Sequence, residues 1–190
     1  ACGELDTKAA MAGACAIEML HCASLVHDDL PCFDGAAYRR GKPSVHVAYG
    51  ERLAVLAGDA LIIEAFATTA AYPQITRIVA QSVGAPNGIC AGQAWECEDW
   101  AALPDYHRAK TGSLFAAATE LGALAAGGDP NVWRGFGEWL GEAYQVADDV
   151  RDAACDEDML GKPAQKDRTL GRPSAVHEFG LAGALAHFEQ

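Results

Sequence analysis

Two short acidic runs carry the chemistry this sequence could perform: His27-Asp28-Asp29-Leu30-Pro31-Cys32-Phe33-Asp34 and Asp148-Asp149-Val150-Arg151-Asp152. Each follows an apolar stretch that reads as helix. Asp148 and Asp152 stand four residues apart and share one helix face, where like charges repel unless a cation lies between them. In the first run the acids are six apart. Pro31 ends the helix there, because proline cannot continue the hydrogen-bond ladder, and the chain can then fold Asp34 back towards Asp28. Hard oxygen donors without His or Cys suit Mg2+, whose coordination is usually completed by water and substrate phosphates. Cations that a diphosphate needs also stand in or near loops: Arg39-Arg40 after the first run, Lys110-Thr111 between the runs, and Lys162 after the second. Together they have the composition of a site for magnesium-bound diphosphate.

These groups must be positioned by helices. The chain is rich in alanine, the best helix former, and lacks the β-branched alternation of a sheet protein. A first helix is expected from about Leu5 to His27, with Met11, Cys15, Met19, Cys22 and Val26 at three- and four-residue spacing. A loop over Asp34 to Pro43 follows. Further helices are expected over Glu51–Tyr72, Gln74–Val83 and Ile89–Trp100. Another should run from an Asp105 N-cap through Lys110-Thr111 to about Ala126. Asp129-Pro130 is a start signal for a helix from Asn131 to about Asp156. A Gly/Pro loop over Gly161–Pro173 precedes a last helix to Gln190. Helices joined by short loops predict an all-α fold, a single helical bundle in one domain.

Composition removes other function classes. Fourteen Lys and Arg against 26 Asp and Glu give a net charge of −12 over 190 residues, the wrong balance for displacing counterions from nucleic acid. Hydrophobic residues at 51% and charged residues at 21% are globular proportions. No uninterrupted apolar run reaches the ~18 residues of a membrane span. The seven cysteines form no CxxC pair and read as reduced thiols of a cytoplasmic protein. His21 and His27 have no metal partner at suitable spacing and read as core or rim residues. Trp133, Phe136 and Trp139 recur at helical spacing and read as packing. Asp156-Glu157-Asp158 lacks the alternating ligands of an EF-hand and reads as a helix terminus.

The first acidic run followed by Arg39-Arg40-Gly41-Lys42-Pro43 resembles the first aspartate-rich motif of the trans-isoprenyl diphosphate synthases, the polyprenyl synthetase family. Tyr144-Gln145-Val146-Ala147-Asp148-Asp149-Val150-Arg151-Asp152 resembles their second. Gly58-Asp59-Ala60-Leu61, Gly92-Gln93, Lys110-Thr111-Gly112 and Leu160-Gly161-Lys162-Pro163 are similar to further family blocks in the same order, and the likeness runs from about Met11 to Val176. The bacterial geranylgeranyl and farnesyl diphosphate synthases are the nearest in flavour.

The resemblance implies an isoprenoid-synthase bundle with its active-site cavity between the aspartate-bearing helices, and a Mg2+-dependent prenyltransferase with three ions per site. Asp28 and Asp34, with Asp148 opposite, would bind the ions, and Asp29, Asp149 and Asp152 would support them through direct or water-mediated contacts. The implied magnesium set is thus Asp28, Asp29, Asp34, Asp148 and Asp152. Arg39, Lys110, Thr111, Gln145 and Lys162 would contact the allylic diphosphate, and Arg40 the isopentenyl diphosphate. A homodimer is the usual assembly of such bundles. Product length would be set beside the first helix at Ala23, which is flanked by Cys22 and Ser24. A small residue there leaves room for a C20 product, with C15 as the runner-up.

The sequence departs from the family pattern in three places. No Gly-Lys-x-x-Arg-Pro type motif precedes the first helix and the C-terminal helices of the family are not matched, so the domain over 1–190 is expected to be incomplete at both ends. Gly35-Ala36-Ala37-Tyr38 stands where relatives carry more acid, and Gln165 stands where a glycine is common. Two other functions compete: a non-catalytic subunit of a heteromeric synthase, and a class I terpene cyclase. Asp148-Asp149-x-x-Asp152 argues against the cyclase, whose second metal helix normally carries Asn, Ser and Glu.

Overall fold

The computed structural model describes residues 5–97, 102–154 and 174–188. The described residues are almost entirely helical, as the alanine content requires: α1 (Thr7–Asp28), α2 (Val45–Tyr49), α3 (Glu51–Thr69), α4 (Pro73–Val83), α5 (Ile89–Trp95), α6 (Leu103–His107), α7 (Ser113–Ala125), α8 (Pro130–Ala154) and α9 (Ala175–Phe188). A π-helical turn, Arg108–Gly112, joins α6 to α7. The fold class is all-α, as expected from the sequence.

α1 is the central element. Asp6 caps it, its carboxylate accepting from the backbone N–H groups of Lys8 and Ala9. Ala9, Ala12, Ala16, Leu20 and Ala23 form its buried stripe, three or four residues apart, against α3 and α7. One core joins Ala9, Ala16 and Leu20 to Ala65 of α3, Ile75 and Val79 of α4, and Leu121 and Ala125 of α7. Small side chains let these axes approach closely, so α1 can lie between its neighbours with little between them. By length and composition alone α1 is apolar enough to cross a membrane, although Glu18 and His21 interrupt its apolar residues. One side of it, Ala9, Ala16 and Leu20, packs into the core.

α7 and α8 form the second close pair. Gly141 of α8 lies on Gly112: a Cβ there would stand 2.6 Å from the Gly112 Cα. Gly135, on the same helix, has open space around it. Opposite outcomes are therefore expected from the same change. Gly141→Ala should destabilise by about 1–3 kcal/mol through overpacking, whereas Gly135→Ala should stabilise by about 0.5–1 kcal/mol through lost backbone entropy. Urea denaturation midpoints read both.

Several boundaries differ from the sequence expectation. Asp105 does not cap a helix. Ala102 holds that place and Pro104 sits in the first turn, where its missing N–H has no partner to lose. Asp129 does act as the start signal, its carboxylate accepting from the Asn131 backbone at 2.9 Å. The expected loop over Asp34 to Pro43 contains a two-residue antiparallel hairpin, Tyr38–Arg39 against Lys42–Pro43. Trp133, Phe136 and Trp139 are not core residues: they are 48%, 51% and 73% exposed on α8. Helical spacing told that they share a side, not that anything in this chain covers it. Asp156-Glu157-Asp158, Lys162, Gln165 and the Gly161–Pro173 loop lie outside the described residues.

Candidate active site

The first acidic run closes on itself. α1 ends at Asp28, and the Asp34 N–H donates to the Asp28 carbonyl at 2.9 Å, while Phe33 and Gly35 both donate to the Leu30 carbonyl. Gly35 takes the left-handed conformation that lets the chain leave this turn. Pro31 thus ends the helix and the turn returns Asp34 to the level of Asp28.

The hairpin then brings a cation back over the run. Arg40 and Gly41, at its corner, both have positive φ, the geometry of a tight type I′ connection. Arg39 beside them clasps Asp29: Nε donates to both carboxylate oxygens at 2.9 Å and Nη2 to Oδ1 at 2.7 Å. The same Nη2 stands 3.6 Å from Asp28 Oδ2. Burial alone would lower the guanidinium's pKa. Hydrogen bonding and charge from Asp29, then the charges of Asp28 and Asp34, outweigh burial and hold it above its ordinary value. Asp29 is only 3% exposed. Both its oxygens are engaged by Arg39, so Asp29, expected in the magnesium set, also anchors the cation.

α5 supplies two contacts that the sequence reading had given no role. Gln93 Nε2 donates to Asp28 Oδ1 at 2.8 Å, across 65 residues of chain. Glu96, one residue beyond α5, pairs with the Lys110 ammonium and accepts from the Tyr106 hydroxyl at 2.6 Å. Lys110 also stands over the Tyr106 ring, 5.6 Å from its centre. Gly92 permits this approach, since a Cβ there would lie 2.6 Å from the Lys110 backbone N and Cα. The π-helical turn that carries Lys110 and Thr111 is a distortion frequent at functional sites. No local signal in a sequence reports a glutamine that pairs with an aspartate on another helix.

On α8 the second run is organised around Asp149, which is 4% exposed. The Thr111 hydroxyl donates to Gln145 Oε1 at 2.6 Å, and Gln145 Nε2 donates to Asp149 Oδ1 at 2.9 Å. The Ala175 N–H, at the start of α9, donates to Asp149 Oδ2 at 2.7 Å. The buried His107 places Nε2 3.4 Å from the same oxygen, close enough for charge but not aligned as a hydrogen bond. Thr111 and Gln145, expected on the allylic substrate, are here bonded to one another. Asp148 is half-buried and Asp152 is 6% exposed on the same helix.

His21 and His27 are rim residues, as expected. Burial pushes the His21 imidazole pKa down, Glu18 opposes this, and Arg40 and Arg39 reinforce it. His27 fits beside Gly58, with Nε2 3.3 Å from the Val55 carbonyl and 3.8 Å from Asp59. Ala23 is 1% exposed, and the Ser24 hydroxyl donates to the His21 carbonyl at 2.8 Å.

Among the described residues, no three His, Cys, Asp or Glu side chains converge into a protein-only metal cage. A donor set of carboxylate oxygens on separate elements, with the buried Gln93 Oε1 left unpartnered, still fits Mg2+, which typically takes one or two carboxylates and completes its shell with water and phosphate.

Comparison with known proteins agrees with this geometry. The family model for polyprenyl synthetase matches residues 1–187. The chain is 53% identical over 192 residues to a geranylgeranyl diphosphate synthase of Cereibacter sphaeroides, covering 97% of this chain and 67% of that protein. It is 49% identical over 198 residues to the one of Rhodobacter capsulatus, covering 100% and 68%. A solved structure of a Helicobacter pylori geranyltransferase, complexed with magnesium and isoprenyl diphosphate, superposes with a TM-score of 0.79 at 33% identity, over 94% of this chain and 63% of that one. The chain therefore spans about two thirds of the length of these relatives. The family-model match over residues 1–187 and the 53% and 49% identities to these relatives, on one all-α bundle, place this chain in the polyprenyl synthetase family of trans-prenyltransferases.

Proposed function

We propose that this protein condenses isopentenyl diphosphate with an allylic diphosphate, using Mg2+, to give geranylgeranyl diphosphate. The observation that supports this reading is a cation, Arg39, held by the buried Asp29 beside Asp28, with a second cation, Lys110, held by the buried carboxylate of Glu96. Asp28 and Asp34 from one run, with Asp148 and Asp152 from the other, would hold three magnesium ions. Bound there, magnesium neutralises the diphosphate and makes it a competent leaving group.

The chain's own residues do the rest. Arg39 and Lys110 face the departing charge as preorganised donors, because Asp29 and Glu96 fix them before substrate arrives. Thr111 and Gln145 extend the donor set, Arg40 reaches isopentenyl diphosphate, and Lys162 completes the cover of the allylic diphosphate. Apolar helix walls around the site would exclude the water that would quench the allylic cation. Attack by the isopentenyl double bond and loss of a proton then give the trans chain.

Product length follows from α1. Ala23 lies five residues before Asp28, ~7.5 Å along the helix axis, and its small side chain is 1% exposed. Ala23→Tyr is expected to shift the main product from C20 to C15, read by chromatography of radiolabelled prenyl alcohols. An unchanged C20 profile would remove Ala23 from the account.

The same reading includes a homodimer in the cytoplasm. Apolar residues stand exposed on α3 (Leu56, Ile63) and α8 (Val132, Trp139), and Cys15, Cys22, Cys32, Cys90 and Cys97 are free thiols. Light scattering after size exclusion tests the dimer.

A further inference from the structure

Gln93 has no place in the mechanism above, and its two amide atoms are treated very differently by the fold. An ionised carboxylate only accepts hydrogen bonds, so Asp28 fixes the amide's orientation: Nε2 must face Oδ1, where it donates at 2.8 Å. Oε1 is thereby turned away, and it is buried with no hydrogen-bond partner. A buried acceptor without a donor is unfavourable, and native structures rarely keep one without a reason.

The surroundings show how firmly the side chain is held. Gln93 follows Gly92, whose bare Cα packs on the Lys110 backbone. Three residues further on, Glu96 grips the Lys110 ammonium. α5 is therefore a strut between Asp28 on one side and the π-helical turn on the other. Asp28 in turn is addressed at both oxygens, by Gln93 at Oδ1 and by Arg39 Nη2 at 3.6 Å from Oδ2. The one group in this arrangement that lacks a partner is an acceptor beside a carboxylate that fits a hydrated cation. Mg2+ keeps several of its waters when bound, and each such water is a strong donor.

We infer that Gln93 is a positioning residue of the magnesium site: its Nε2 fixes the Asp28 carboxylate, and its Oε1 accepts a hydrogen bond from a water on the ion that Asp28 binds. The inference rests on the reading of Asp28 as a magnesium ligand. It adds a second contact by which α5 senses the ion, and it explains why a long-range glutamine is kept with one atom satisfied and the other not. Partners that orient metal ligands in this way typically carry 10–100-fold in metal affinity.

The test uses Mn2+ as the probe, titrated into the protein with inorganic diphosphate and followed by electron paramagnetic resonance. Gln93→Leu and Gln93→Met remove both amide atoms at similar volume. Each is expected to weaken Mn2+ binding about 10–100-fold, with the melting temperature little changed. The Mg2+ concentration for half-maximal rate should rise alongside, and excess Mg2+ should restore most of kcat. A merely structural role would lower the melting temperature and leave Mn2+ affinity unchanged, and that result overturns the inference while leaving the prenyltransferase reading intact. Absence of Mn2+ binding by the unmodified protein overturns both. A second measurement needs no variant: in protein labelled with 15N-glutamine, the Gln93 side-chain amide signal should move on addition of Mg2+ and diphosphate. A signal that stays in place counts against the inference.

Discussion

Asp28→Asn should lower kcat/KM on the order of 10³-fold, the scale of losing one preorganised electrostatic contact to a reacting group. The change keeps the volume and still accepts the Gln93 amide, so the 2.8 Å hydrogen bond that ties α5 to α1 can persist. Only the charge goes. Arg39 retains Asp29 as its principal partner, so the hairpin stays where it is. Steady-state kinetics should show the loss while circular dichroism and the melting temperature stay near those of the unmodified protein. Activity within tenfold of normal would mean that Asp28 does not carry the metal.

The adjacent acids in the second run should behave in opposite ways. Asp149→Ala is expected to destabilise the fold by about 2–4 kcal/mol, because it strands the Ala175 N–H and the Gln145 amide in a buried site. α9 loses the anchor of its first residue, and Gln145 loses the acceptor that orients it towards Thr111. Asp148, half-buried on the neighbouring face, should tolerate Asn with little change in stability but a large loss of rate. Denaturant midpoints for the two variants separate these outcomes. Equal stability of Asp149→Ala and Asp148→Asn would show that the buried network is not what holds α9. The expected outcome would give two neighbouring aspartates in one motif different work, chemistry for the half-buried one and architecture for the buried one.

Much of this was legible in the residues, for reasons that can be named. The alanine content and the three- and four-residue spacing made the helices clear, because propensity and periodicity point the same way. Pro31 gave the return of Asp34, since a proline in that place leaves few alternatives. Asp129-Pro130 gave the start of α8 through a cap whose chemistry is local. The contacts that escaped were those set by packing between distant elements. Gln93 meets Asp28 and Glu96 meets Lys110 only because Gly92 lets α5 approach the π-helical turn. The protein partners of Asp29 and Asp149 escaped for the same reason: spacing shows that acids are near one another, not which groups other elements bring to them. Trp133, Phe136 and Trp139 shared a helical side as the spacing required, but periodicity does not say whether that side is covered.

Everything proposed for this protein converges on chain elongation to C20. Its most direct test incubates the protein with Mg2+, farnesyl diphosphate and radiolabelled isopentenyl diphosphate, removes phosphate, and separates the labelled alcohols by length. The expected result is a labelled C20 alcohol that disappears when EDTA removes the metal. A labelled product only when a second, different chain is added, or no labelled product longer than the starting allylic chain, would contradict it.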